Sequence, residues 1–386
     1  MTRQRIRLGM VGGGQGAFIG AVHRMAARLD DRYELVAMAP SSDPQRAAAS
    51  GAELGLDPGR VYAAYADMAR CEAQRADGVQ VVAIVTPNHL HYPVACAFLE
   101  AGIHVMCDKP LTRTLAEAQD LAVRARRASL LFGVTYTYTG YPMVRQAREL
   151  VAQGVLGDIR LIQVEYAQDW LVQAIEADGQ KQALWRTDPA QAGEGGSIAD
   201  IGTHAYHLAS FVTGLEVTEL SADLGTVVPG RRVDDDAHVR LRWSNGARGA
   251  LWASQVATGS QNALMLRVFG SQGALTFRQE LPNELWLTPL GESPRLLSRA
   301  GPGLGMAAAH ATRLPAGHPE GYLEAFAQLY RDMADQLDAR HNGHAPLALA
   351  GLLPQLDAGL AGMRFLDAAL QSHRLGGAWQ ALARAD

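Results

Sequence analysis

The stretch that most restricts what this chain can fold into runs from Arg7 to Ala17, RLGMVGGGQGA, where an apolar strand breaks into glycines and continues as a helix. Read as G-x-G-x-x-A, it consists of Gly12, Gly14 and Ala17, with further glycines at Gly13 and Gly16. Gly12 allows a tight turn, Gly14 lets backbone approach a pyrophosphate, and the small Ala17 lets the helix lie close on its strand. Phe18, Ile19, Val22, Met25, Ala26 and Leu29 recur at helical spacing, so one face is apolar and the helix can offer its first amides to an anion. Glycine-rich turns also occur without a nucleotide, so the rest of the chain must decide.

At 386 residues the chain suits two domains, since one domain commonly takes roughly 100 to 200 residues. Hydrophobic residues are 48%, charged residues 19% and the net charge is -4, a globular profile with no basic tract for nucleic acid. Cys71, Cys96 and Cys107 form no C-x-x-C pair, which points to neither a disulfide framework nor a zinc knuckle and fits a reducing cytoplasm. The N-terminus runs from Arg3, Arg5 and Arg7 into a strand too short for a signal-peptide core, and no run of about 18 apolar residues follows. Neither export nor a membrane span is expected.

The first third alternates strand and helix. Tyr33–Met38 reads as a strand, Pro44–Leu54 as a helix, and Val79–Val85 as a strand buried on both faces. A helix over His91–Glu100, a strand over His104–Cys107, a Thr114/Glu117 capping box opening a helix to Ala128, and a strand over Leu130–Thr135 complete the series. Such alternation implies a doubly wound parallel sheet whose ligands sit beyond the carboxyl ends of its strands. Gly12, Thr86 to His91 and Asp108 to Pro110 all fall at such ends.

After Tyr138 one helix, Pro142–Gln153, precedes a run of alternating strands, with a hairpin signal at Asn245-Gly246 and a weaker one over Ser271 to Gly273. The expectation is a Rossmann domain over 1–137 and a second α/β domain over 138–386, for substrate binding and oligomerisation, with a large, mostly antiparallel open sheet and late helices able to pack back on the first domain. On the strand His238 to Trp243, Val239, Leu241 and Trp243 alternate with His238, Arg240 and Arg242. One face is therefore buried and one wet, and a homodimer or homotetramer through this sheet would cover the wet face. Gly291–Gly317 reads as a long loop, and Tyr322–Leu337 and Gln355–Leu370 as late helices.

Chemistry concentrates in two places. Lys109, between Asp108 and Pro110, can hydrogen-bond a substrate oxygen beside a nicotinamide; the alternative is a loop lysine paired with its neighbouring aspartate. In GEGGSIADIGTHAYH, Asp200 and His204 lie four residues apart, on one face if a helix starts there. His204 is a natural general base, Asp200 an orienting acid or a helix N-cap, and His207 follows one turn on. No second cluster with ligand spacing accompanies them, so no metal is expected.

The order GGGQGA, TPNHLH, DKP, WRTDP and GGSIADIGTH resembles the glucose-fructose oxidoreductase, inositol dehydrogenase and MocA family over roughly residues 6 to 290. The resemblance implies an NAD or NADP cofactor, a carbohydrate or polyol substrate, and reversible hydride transfer at a secondary alcohol. It makes Lys109 the catalytic lysine, Asp200 a substrate-positioning acid and His204 the acid/base residue. Cofactor contacts would come from Gly12, Gly14, Gln15, Ala17, Phe18, Ile19, Ser41, Ser42, Arg46, Thr86, Pro87, Asn88, His91, Asp108, Lys109, Pro110, Trp185 and Arg186. Tyr136, Tyr138, Asp169, Trp170 and His207 are candidates for the substrate pocket.

Three departures from the family stand out. Relatives usually carry E-K-P where this chain has Asp108-Lys109-Pro110, and often an acid after the second strand, where this chain reads Ala39-Pro40-Ser41-Ser42. The missing acid leaves NADP open beside NAD. Tyr136-Thr137-Tyr138-Thr139 replaces an asparagine and an arginine common in relatives, so the substrate does not carry over. An NAD-dependent glycoside hydrolase of the same fold and a non-catalytic nucleotide sensor remain the other readings.

Overall fold

The computed structural model describes residues 4–382; Arg3 of the basic N-terminal run and the last four residues of the expected second domain lie outside them. The chain divides into two compact units. The first takes the residues to Thr137 and Tyr322–Leu360; the second takes Tyr138–Gly321 and the residues from Ala361 on.

The first unit alternates as its apolar pattern dictates: β1 (Ile6–Gly12), α1 (Phe18–Leu29), β2 (Tyr33–Ala39), α2 (Pro44–Glu53), α3 (Tyr65–Ala73), β3 (Val81–Val85), α4 (His91–Glu100), β4 (His104–Cys107), α5 (Leu115–Ala128) and β5 (Phe132–Val134). All pairs are parallel, in the order β2-β1-β3-β4-β5. The chain builds outward from β1 in one direction and then the other, so the switch of direction falls beside β1, where open α/β sheets bind ligands. Every residue of β3 is buried, which explains its unbroken apolar run. The Thr114 and Glu117 side chains form the reciprocal cap expected of them.

One helix escapes the sequence pattern. α3 buries only Met68, Ala69 and Glu72, and Glu72 is inside because Arg60, also buried, donates to its carboxylate. A charge pair thus stands where an apolar stripe would have announced a helix.

The second unit begins with α6 (Pro142–Ala152), β6 (Ile159–Ala167), α7 (Lys181–Arg186) and α8 (Pro189–Ala192). A π-helical turn over Ile198–Gly202 then leads into α9 (Thr203–Thr213). Next come β7 (Val217–Gly225), β8 (Asp236–Trp243), β9 (Arg248–Ser254), β10 (Ala263–Gly270), β11 (Gly273–Arg278), β12 (Glu284–Pro289), β13 (Arg295–Ser298) and α10 (Met306–Ala311). α11 (Tyr322–His341) belongs to the first unit, α12 (Leu356–Arg374) starts there, and β14 (Gln380–Ala381) closes the order.

The nine strands run β13-β12-β11-β10-β6-β9-β8-β7-β14, with β6 and β9 parallel and the remaining pairs antiparallel. Asn245-Gly246 makes the β8–β9 hairpin, where Gly246 has φ 87°. The expected loop over Gly291–Gly317 instead contains β13 and α10. β13 is an exposed edge strand with no alternation to read, and α10 is a six-residue helix held by three buried alanines.

Candidate active site

β1 ends at Gly12 (φ 84°), where a Cβ would stand 2.7 Å from the Val85 carbonyl oxygen. A Cβ on Gly14 would meet the Pro40 carbonyl oxygen at 2.9 Å, so neither position admits a side chain. The closest approach of α1 to the turn is made one helical turn beyond Ala17, at Gly20, whose Cβ would lie 2.3 Å from Gly13 Cα. α1 has no side-chain cap and no acid in its first turn, leaving its orphan amides and positive dipole end for an anion. A shallow pocket there is lined by Gly14, Gln15, Ala17 and Phe18, and the Gln15 amide donates to Ser50 Oγ at 3.2 Å.

After β2 no carboxylate precedes Asp43, and Asp43 caps α2 by accepting from the Arg46 amide at 2.9 Å. Ser41 Oγ accepts from the Asp43 amide at 3.2 Å, and Ser42 is exposed. The Thr86 hydroxyl after β3 is buried without a hydrogen-bond partner in the protein. A cradle with no room for a Cβ at Gly12, Gly13 or Gly14, an uncapped helix start and an orphaned hydroxyl at the next strand end together fit a dinucleotide.

The Asp108-Lys109-Pro110 turn follows β4, with a cis bond between Lys109 and Pro110. Asp108 does not stand idle beside its lysine: His23 Nε2 lies 3.0 Å from its Oδ1, and the Thr135 hydroxyl donates to the same oxygen at 2.5 Å. Burial pushes the Asp108 carboxyl up, but His23 and Thr135 outweigh it and hold it below the usual range. His91 bridges the two loops, its ring nitrogens 2.8 Å from the Pro110 and 2.9 Å from the Thr86 carbonyl oxygens; burial draws its pKa down. Asn88 and Tyr136 are buried near the ends of β3 and β5.

In the second unit Asp234 sets the geometry. Its carboxylate accepts from the Gly196 amide at 2.6 Å, the Ser197 hydroxyl at 2.7 Å and the Ile198 amide at 2.8 Å. Asp234 is therefore the acid that caps this turn, and the alternative role of Asp200 as an N-cap is overturned. Burial pushes the Asp234 carboxyl up despite these bonds. The π-helical turn then presents Asp200, whose Oδ2 accepts from Gln255 Nε2 at 2.9 Å and pairs with Arg186 Nε at 3.4 Å. Arg186 stacks over Trp185 at 4.1 Å and faces Trp170 at 5.9 Å. Trp170, Trp185, Arg186 and Asp200 thus form one constellation.

His204 is buried on the first turn of α9, its ring edge-on to Tyr138 at 4.8 Å and to Tyr166 at 6.4 Å. The Tyr138 and Tyr166 hydroxyls bond each other, and Tyr166 donates to Asn262 Oδ1 at 2.7 Å. Gln168 donates to the same oxygen at 2.8 Å and accepts from Trp170 at 3.1 Å. Tyr138 and Trp170 of this belt were candidates from the sequence, whereas Tyr166, Gln168, Asn262, Gln255, Asp234 and His23 carry no spacing signal there. Of the remaining candidates, Asp169 accepts from the Gly259 amide, and His207 is buried beside Phe211.

A glycine-cradled helix at the switch point of a parallel sheet, with a lysine and cis-proline turn two strands along, defines an NAD-binding Rossmann oxidoreductase. The chain belongs to the GFO/IDH/MocA family: the model of the oxidoreductase family's NAD-binding Rossmann fold matches residues 6–136, and that of the GFO/IDH/MocA C-terminal domain matches residues 144–276. Among solved structures it resembles an oxidoreductase from Sinorhizobium meliloti at 53% identity and TM-score 0.89, covering 98% of this chain and 100% of that one. An inositol dehydrogenase homolog from Azotobacter vinelandii, complexed with NADH and myo-inositol, is 36% identical with TM-score 0.89 and 98% of both chains covered. The levoglucosan dehydrogenase of Pseudarthrobacter phenanthrenivorans is 29% identical over 73% of this chain and 76% of its own. Among the described residues no helix is long and apolar enough to cross a membrane.

Proposed function

We propose that the protein oxidises a secondary alcohol on a neutral cyclitol or sugar, reversibly, with NAD. The observation that carries this reading is the second unit's constellation, in which aromatic faces at Trp170 and Trp185 lie against an Asp200 carboxylate already engaged by Arg186 and Gln255. Aromatic faces suit sugar rings, and a carboxylate accepts hydroxyl hydrogen bonds. Because the Arg186 guanidinium is paired with Asp200, the site favours a polyol over a sugar acid.

Bound NAD supplies the hydride acceptor. Gly12, Gly14 and the first amides of α1 would hold its pyrophosphate, with Gln15, Ala17, Phe18, Ile19, Ser41, Ser42, Arg46, Thr86, Pro87 and Asn88 as the further residues that would contact it. Lys109 donates a hydrogen bond to the substrate oxygen, His204 takes the hydroxyl proton on oxidation and returns it on reduction, and Asp200 holds a neighbouring hydroxyl. Tyr138, edge-on to the His204 ring, sets its plane. His207 takes no part. The strand end without an acid also admits the 2'-phosphate of NADP, so the cofactors must be compared directly.

The outward face of the nine-stranded sheet supports an oligomer. Leu161, Trp286 and Leu296 are 51%, 41% and 43% exposed on it, and a second copy would cover them. Unpaired Cys71, Cys96 and Cys107 accord with a cytoplasmic protein. The test is reduced-nicotinamide formation from NAD and NADP across inositols, neutral sugars and sugar acids. Turnover of a neutral polyol with NAD bears the proposal out; turnover confined to sugar acids removes the role given to the Arg186–Asp200 pair.

A further inference from the structure

The reaction as drawn leaves one buried titratable chain unused. His23, on α1, is fully buried. Its Nδ1 lies 2.7 Å from the Tyr330 hydroxyl of α11, and its Nε2 lies 3.0 Å from Asp108 Oδ1 at the end of β4. Thr135, after β5, donates to that same carboxylate oxygen. The protons can be placed. Asp108 is held ionised, and burial pushes the Tyr330 phenol far above its usual range, so that it keeps its proton. Nε2, facing an ionised carboxylate, donates to Asp108, and the Tyr330 hydroxyl bonds Nδ1. His23 of α1, backed by Tyr330 of α11, and Thr135 at the end of β5 thus converge on Asp108, the residue before Lys109.

A carboxylate one residue from an ammonium will pair with it unless something else holds it, because a buried or half-buried acid seeks its nearest cation. Here the carboxylate is turned into the Rossmann unit, and the aspartate's shorter side chain suits the short reach to His23. On its other side, the Pro110 carbonyl is fixed by His91 of α4. We propose that His23 is a positioning residue for Lys109, acting through Asp108: it holds the acid against α1 and so directs the lysine toward the substrate oxygen. This rests on the role given to Lys109 above.

A double-mutant cycle with H23L and D108N tests it, with melting temperature and NAD affinity measured on every variant. H23L is expected to lower kcat at least about tenfold while NAD affinity and KM stay within about twofold, and the double variant to be no slower than the slower single, because the two residues act as one unit. H23Q, which keeps a donor for the carboxylate, is expected to recover most of kcat, an effect that a purely packing role would not produce. Should H23L not fold, H23N replaces it, its amide too short to reach Asp108. Multiplicative losses in the double variant, or unchanged kcat in folded H23L, overturn the proposal. If the wild-type protein turns over no polyol, the dehydrogenase reading fails by itself. The proposal is then judged by the rate at which an amine-acylating reagent labels Lys109, read by peptide mass spectrometry; it should change at least about threefold in H23L and revert in H23Q, and an unchanged rate rejects it.

Discussion

His207 separates scaffold from site most sharply, because its position three residues after His204 invites a role in binding while its surroundings assign it to the core. Its ring packs 6.1 Å from Phe211 and is 7% exposed. Burial first, and Arg148 second, draw its pKa from the ordinary 6.5 down to about 3. The unfolded chain binds this proton below about pH 6.5, whereas the native protein refuses it until about pH 3. The stabilisation is therefore complete above pH 6.5 and is lost as the pH falls through that window. Between pH 7 and 5 the loss is about 2 kcal/mol, and by pH 3 it is about 4 kcal/mol, at 1.36 kcal/mol per unit. His207→Gln removes the titration. In urea unfolding at fixed ionic strength, wild type should lose about 2 kcal/mol more than the variant between pH 7 and 5, with KM at neutral pH unchanged. Parallel stability curves, or a KM raised about tenfold in the variant, would refute the reasoning and place the imidazole at the substrate.

Further outcomes follow from single contacts. Gly20→Ala puts a Cβ 2.3 Å from Gly13 Cα, so α1 must shift; NAD affinity measured by fluorescence titration should fall at least about tenfold, with a loss of about 1–3 kcal/mol in stability. Asp234→Asn cannot accept all three bonds that fix the π-helical turn, and should cost about 1–3 kcal/mol in thermal unfolding and lower kcat more than NAD affinity. Lys109→Ala and His204→Ala should each fold, bind NAD as wild type does, and lose about 10²-fold or more in kcat; undiminished turnover in either strikes that residue from the mechanism.

The sequence made legible whatever depended on local periodicity or turn chemistry. β3 shows as an unbroken apolar run because both its faces are buried, α5 announces itself through the Thr114–Glu117 box, and the β8–β9 hairpin requires a glycine that tolerates φ 87°. The lysine and the Asp200/His204 pair were readable as motifs. What was hidden is set by partners distant along the chain: His23 reads as one more residue of an amphipathic helix until Tyr330 and Asp108 are seen on either side of it. Asp234 stands 38 residues from the amide of Gly196 that it caps. β6 inserts between β9 and β10, which follow one another in the chain, and its parallel pairing with the distant β9 is one for which alternation offers no sign. The π-helical turn replaces the regular helix that the four-residue spacing of Asp200 and His204 suggested.

The central claim is hydride transfer from a carbinol carbon to nicotinamide, and isotope tracing tests it most directly. A polyol turned over by the enzyme, deuterated at its carbinol carbons, is incubated with NAD and the reduced cofactor is analysed by mass spectrometry. One deuterium per reduced cofactor, with a ketone as the other product, is the predicted result. Unlabelled reduced cofactor, or cleavage of a glycosidic bond with no net cofactor reduction, would contradict it.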